Sequence, residues 1–136
     1  MSRIQGLFAG CLIAAACASP FAAIAAPEAY IISPQDGDTV DSPFVVRFGL
    51  RGMGVAPAGV EIAGTGHHHL IIDAPLPPAG QPIPADDRHR HFGKGQTETE
   101  LSLPPGEHTL QLLLGDHTHV PHDPPVSSQR IRVRVR

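Results

Sequence analysis

An all-β fold, in the form of a small antiparallel β-sandwich of the immunoglobulin or cupredoxin kind, is predicted by three observations. No window of the chain carries a helical hydrophobic period. Short extended runs that alternate apolar and polar residues recur from Tyr30 to the last residue, Arg136. Proline and glycine, 15 and 14 of the 136 residues, punctuate the intervals between those runs. Six or seven short strands fit into residues 26–136, which a two-sheet sandwich accommodates economically, with a small closed barrel as the alternative.

The elements follow in order. Tyr30 to Ile32 is a first short strand, ended by the turn formers of SPQDGD. Pro43 introduces FVVRFGL, in which Phe44, Val46, Phe48 and Leu50 share one face, the pattern of a half-buried strand. Arg51 to Gly66 reads as a glycine-rich loop with a short strand around Val60 to Ile62, and GHHHLIID is the next strand. Ala74 to Ala85 holds five prolines, which cannot donate ladder hydrogen bonds, so it reads as a crossing loop or edge cover. Asp86 to Gln96 reads as a polar loop. Leu101 and Leu103 then point inward from TETELSL, Pro104, Pro105 and Gly106 make a hairpin turn, and HTLQLLL returns with His108, Leu110, Leu112 and Leu114 on one face. After the loop GDHTHVPHDPP, the closing IRVRVR puts Ile131, Val133 and Val135 on one side. The expected core therefore contains Phe44, Val46, Phe48, Leu101, Leu103, Leu110, Leu112, Leu114, Ile131, Val133 and Val135.

Ahead of this domain, Arg3, the apolar run Leu7 to Ala18 and the small residues up to Ala26 form the three-part pattern of a secretory leader, with Ala23 and Ala25 giving the A-x-A site for cleavage after Ala25. The run is shorter than the roughly 20 apolar residues of a spanning helix and is interrupted by Pro20, and no second such stretch follows, so no membrane span is expected. Residues 1–25 are read as leader and 26–136 as one domain. That domain, periplasmic or secreted, has no cysteine, since Cys11 and Cys17 both fall in the leader, so neither disulfides nor thiolate ligands are available to it. Neither cysteine has a leucine three places before it, which ranks lipidation below simple secretion. A net charge of −3 with neutral histidines argues against nucleic acid or an anionic membrane as partner, and nothing points to a particular protein partner. Protonation of all 9 histidines would carry the net charge from −3 to +6.

Those histidines are confined to one stretch, from His67 to His122. On a strand, residues i and i+2 point the same way about 6.5 Å apart, so imidazoles at that spacing converge on one ion at about 2.0 Å. Three H-x-H pairs occur: His67 and His69, His89 and His91, His117 and His119, with Asp116, His122 and Asp123 close to the last. His68 points away from its neighbours alongside Leu70 and Ile72, and the period alone does not say which face is inside. His108 shares a face with three leucines and reads as a core or rim histidine bonded to backbone. The expected ligands of a divalent metal are His67 and His69 with His91 and His119, and His68 and His122 are further candidates. Imidazole and carboxylate donors suit Zn(II) or Cu(II), with Ni(II) and non-haem iron also compatible, and the missing thiolate excludes a blue-copper site.

The combination GHHHLIID, HFGKGQTE and LPPGEHTLQLLLGDHTHVPHDPP closely resembles the bacterial exported family catalogued as domain of unknown function 4399, over most of the chain from SPQDGDTV to the last strand. The resemblance implies that the histidines at 67 to 69, 91, 108, 119 and 122 belong to the family pattern, and that His89 and His117 are particular to this chain. It carries no activity with it. A metal-dependent enzyme of the cupin kind is an alternative, but Gly106 and His108 are misspaced for its second motif and the glutamate ligand is missing. A non-catalytic module whose histidines sense pH is another. Intact-mass analysis of envelope-fraction protein is expected to show a chain beginning at or next to Ala26 without added mass; a diacylglycerol-sized excess on Cys11 or Cys17 would make it a lipoprotein instead.

Overall fold

A computed structural model describes residues 23–136; Cys11, Cys17 and nearly all of the expected leader lie outside the described residues. Among those described there is no helix, and nine strands form two sheets, as expected of a sandwich. The smaller sheet has the order β1 (Glu28–Ser33), β3 (Phe44–Arg51) and β7 (Glu98–Leu101). The larger has the order β2 (Thr39–Val40), β9 (Ile131–Val135), β8 (Gly106–Gly115), β5 (Thr65–Ile72) and β4 (Gly54–Val55), with β6 (His89–His91) also on β5. Most pairings are antiparallel, and the two-residue strands β2 and β4 join β9 and β5 in parallel.

The core lies between the sheets and follows the alternation of the sequence. Phe44, Val46, Phe48 and Leu101 from one sheet meet Leu70, Ile72, Leu110, Leu112, Ile131, Val133 and Val135 from the other, with Ala29 and Phe92 completing the cluster. Leu114 is buried as well, whereas Leu103 is only partly buried at its margin. A second, smaller cluster of Ile71, Ile83 and Leu113 lies on the opposite face of the larger sheet. Its cover is the proline-rich crossing loop, which contributes Ile83, Ala74 and Leu76. Strands β5 and β8 are therefore buried on both faces along part of their length.

Three local expectations need correction. Val60 to Ile62 is not a strand: Pro57 and the left-handed Gly59 and Gly64 break the run, Val60 and Ile62 stand exposed, and the short strand forms earlier, at Gly54 and Val55. Pro104 to Gly106 is not a hairpin turn but a crossing between sheets, because β7 pairs with β3 while β8 pairs with β5 and β9. Leu101 and Leu110 satisfy the same inward pattern from opposite walls of the core, and alternation alone does not distinguish the two arrangements. The polar stretch containing His89 to His91 is a strand, not a loop, because the far edge of β5 offers it a ladder. Thr39 and Val40, which follow the SPQDGD turn and were assigned to no element, likewise pair along β9.

β5 owes its position to both edges. β8 pairs with it from His67 to Ile72, and the other edge is divided between β4, beside Thr65 and Gly66, and β6, beside His69 to Ile71. At the end of this strand Asp73, in the left-handed region at φ 49°, accepts hydrogen bonds from the Thr109 amide at 2.8 Å and from His108 Nδ1 at 2.6 Å. His108 Nε2 donates to the Pro104 carbonyl at 2.8 Å, which is the structural role expected of this histidine. With acceptors at both nitrogens the doubly protonated ring is the favoured form. Burial pulls its pKa down, but the hydrogen bonds to Asp73 and Pro104 and the carboxylate charge outweigh that and raise it.

Two measurements follow. Leu112→Ala, at a fully buried site, is expected to cost about 2–5 kcal/mol in denaturant unfolding. A pKa raised on folding makes the His108 contribution complete below the unfolded value near 6.5 and lost as pH rises through the folded one. The stability difference between wild type and His108→Gln is therefore expected to shrink as pH rises above that value, and a difference that grows would contradict the pairing.

Candidate metal centre

The alternation of β5 separates its three histidines. His68 faces the inter-sheet core and packs edge-on against Phe48, with ring centroids 5.0 Å apart. His67 and His69 face the opposite side, on the same surface as Ile71 and Leu113. All three are buried, His67 and His68 at 0% exposure and His69 at 1%. Strand β6 then lays His91 directly across from His69, in a ladder continued by the bond from the Phe92 amide to the His68 carbonyl at 3.1 Å. Ring centroids are 5.1 Å apart for His69 and His91 and 5.0 Å for His67 and His91.

His119 comes from the loop after β8 and closes the group. Asp116 Oδ1 accepts from the Thr118 amide and hydroxyl, both at 2.8 Å, and from the Val120 amide at 3.0 Å. The Asp116 amide donates to the Val120 carbonyl at 2.8 Å and the His119 amide to the Asp116 carbonyl at 3.0 Å. This tight turn puts His119 at φ 68°, a left-handed conformation that costs a non-glycine residue about 1–2 kcal/mol. The His119 carbonyl is tied in turn to the Ile83 amide of the proline-rich loop, at 2.8 Å. The result brings His119 Nδ1 to 3.1 Å from His67 Nε2. One nitrogen from each of His67, His69, His91 and His119 can be chosen so that all four lie within 4.8 Å of one another.

Two glycines make room for these rings. A Cβ on Gly115 would stand 2.8 Å from His69 Cε1 and 3.3 Å from the His119 Cα, and one on Gly93 would stand 2.2 Å from His91 Cε1. A side chain at either position would drive an imidazole out of the group. Sequence reasoning passed over both, because their effect depends on the register of β5, β6 and β8; the glycines two residues after His91 and just before Asp116 are the one visible signal.

The electrostatics favour neutral imidazole. Burial first, and then repulsion from His91 and His119, lowers the His67 pKa to about 4 against an opposing pull from Asp116. Burial and the neighbouring histidines lower His69 to about 3, and burial followed by His119 lowers His91. Near neutral pH these rings therefore present lone pairs to a cation. Nδ1 of His67 and Nδ1 of His69 are buried without a hydrogen-bond partner, an arrangement that costs about 1–3 kcal/mol for each unsatisfied group. Tetrahedral coordination at a Zn–N distance of about 2.0–2.1 Å requires donor separations of ~3.3–3.4 Å. The 3.1 Å pair and the 4.8 Å limit bracket that value, so modest ring rotations would let the set hold an ion.

Of the six candidate ligands from the sequence, four are brought together and two are not. His68 is on the core side, where burial lowers its pKa to about 4. His122 Nε2 is buried against Gly66, 2.8 Å from where a Cβ there would lie, and stands outside the group. The other H-x-H pairs each contribute only their second member: His89 Nδ1 is taken by Asp86 Oδ1 at 2.7 Å, and His117 Nε2 lies 3.9 Å from Glu61. Asp116, close to the last pair in sequence, shapes the His119 turn and is not one of the four donors.

The family model described as domain of unknown function DUF4399 matches residues 46–136, from the third strand to the end of the chain. No curated protein and no solved structure matches the sequence. Since the matched residues include every strand of the histidine group and make up more than half of the chain, the protein belongs to the DUF4399 family.

Proposed function

We propose that this protein is an exported metal-binding protein that holds a divalent transition-metal ion, Zn(II) or Cu(II) foremost, through His67, His69, His91 and His119. The observation that carries the reading is the convergence of four imidazoles from β5, β6 and the Asp116–Val120 loop on one point, with two of the rings buried and Nδ1 of each without a hydrogen-bond partner. Burial of ionisable side chains without partners is costly, and occupation by a cation turns that cost into ligation. The leader pattern supports export, and a cysteine-free domain would keep the same donors in an oxidising compartment. The cupin alternative is less well supported, because His108, the residue its second motif would use, is bonded to Asp73 and Pro104 outside the group.

A ligand that binds only the folded state stabilises it by about 2.7 kcal/mol at a hundredfold excess over its dissociation constant. Untagged protein, stripped with chelator and melted with Zn(II), Cu(II), Ni(II) or Fe(II), is expected to show a selective rise in melting temperature. The double substitution His67→Ala and His69→Ala is expected to abolish the rise, and His122→Ala to preserve it. A wild type unmoved by every metal, or a double variant that responds like wild type, would refute the assignment.

A further inference from the structure

The four donors share a property that bears on what else the centre binds: each is an imidazole, a group that carries no charge when it ligates a metal. None of the ion's charge would be cancelled by its ligands, unlike a site that includes thiolate or carboxylate. Four of the domain's carboxylates are engaged elsewhere or turned to solvent. Asp116 has one oxygen committed to three donors in its own loop, and Asp86 and Asp73 pair with His89 and His108. Glu61 reaches only His117, at 3.9 Å, and its side chain is 82% exposed. No carboxylate joins the donor set among the described residues.

The surroundings accentuate the imbalance. On the sheet side His67 and His69 are removed from water, so a doubly charged ion there would lose part of its hydration while its four ligands supply no counter-charge and Asp116 acts on it only from outside the group. On the other side the group is open, since His91 is exposed and His119 only partly buried.

Building on the metal assignment above, we propose that a divalent ion held by these four histidines takes a small exogenous anion with an oxygen or nitrogen donor as an additional, exchangeable ligand on the side of His91 and His119. Hydroxide, carboxylates and azide belong to this class. The anion would offset the charge that four imidazoles leave uncompensated.

The test uses full-length mature protein loaded with one equivalent of Cu(II), freed of excess metal and titrated with sodium azide, with sodium perchlorate at matched ionic strength as control. The expected result is a saturable azide-to-copper charge-transfer band that disappears on dialysis while the metal content stays constant, and that is missing from the His67→Ala, His69→Ala double variant treated in the same way. Retained copper with no band would show a closed coordination sphere and overturn the anion proposal while leaving metal binding intact. Release of copper by azide, or a band that persists in the double variant, would overturn it as well. Failure to retain Cu(II) would overturn the anion proposal, and failure to retain any of Cu(II), Zn(II), Ni(II) or Fe(II) in parallel loadings would refute both readings together.

Discussion

The ladder between β5 and β8 fixes the arrangement of everything around it. Pairing His67 with Gly115, His68 with Leu114 and so on to Ile72 with Leu110 sets which side of β5 each residue occupies. A slip of one residue would exchange the faces, sending His68 outward and pressing His67 and His69 against Phe48. The partners on the far edge depend on the same choice. His91 stands opposite His69 only because β6 joins β5 in this register, and Gly115 lies under the His69 ring only because β8 does. The sandwich thus supplies more than a rigid support: its hydrogen-bond register selects the members of the histidine group.

Carboxylate partners set two of the histidines apart, while buried nitrogens without a partner occur at His68 and His122 as well as inside the group. His89 and His108 each have a carboxylate within hydrogen-bond reach, and both lie outside the group. The four that converge have no carboxylate, and the two most buried leave a ring nitrogen unsatisfied. A fold selected for stability alone would be expected to satisfy those nitrogens or replace the rings with aliphatic side chains of similar size. The left-handed backbone at His119 points in the same direction, since it is a cost borne at the residue that completes the group and offset by the hydrogen bonds of Asp116.

How much of this was legible in the sequence varied with burial. The half-buried strands β3 and β9 show the two-residue period openly, and their inward faces were read residue for residue. β5 could not be read in the same way, because the proline-rich loop buries its outer face and every residue from Gly66 to Ile72 is inside, which erases the polar half of the pattern. The three H-x-H pairs looked equivalent by spacing, yet Asp86 captures His89 and the Asp116 turn separates His117 from His119. Those are local hydrogen-bond outcomes that periodicity does not contain. The crossing at Pro104 to Gly106 was missed for a related reason: two apolar faces can point into one core from the same sheet or from facing sheets.

The bond from the Ile83 amide to the His119 carbonyl links the group to a loop that contributes no donor to it. Ile83 is itself anchored between Ile71 and Leu113, and the segment around it is stiffened by proline on both sides. The placement of the fourth imidazole is therefore partly inherited from a segment whose own residues are constrained only by shape and volume. Such a segment offers evolution an indirect control: relatives could drift in the length or packing of this loop and so loosen or tighten the grip on an ion, while every histidine stayed the same.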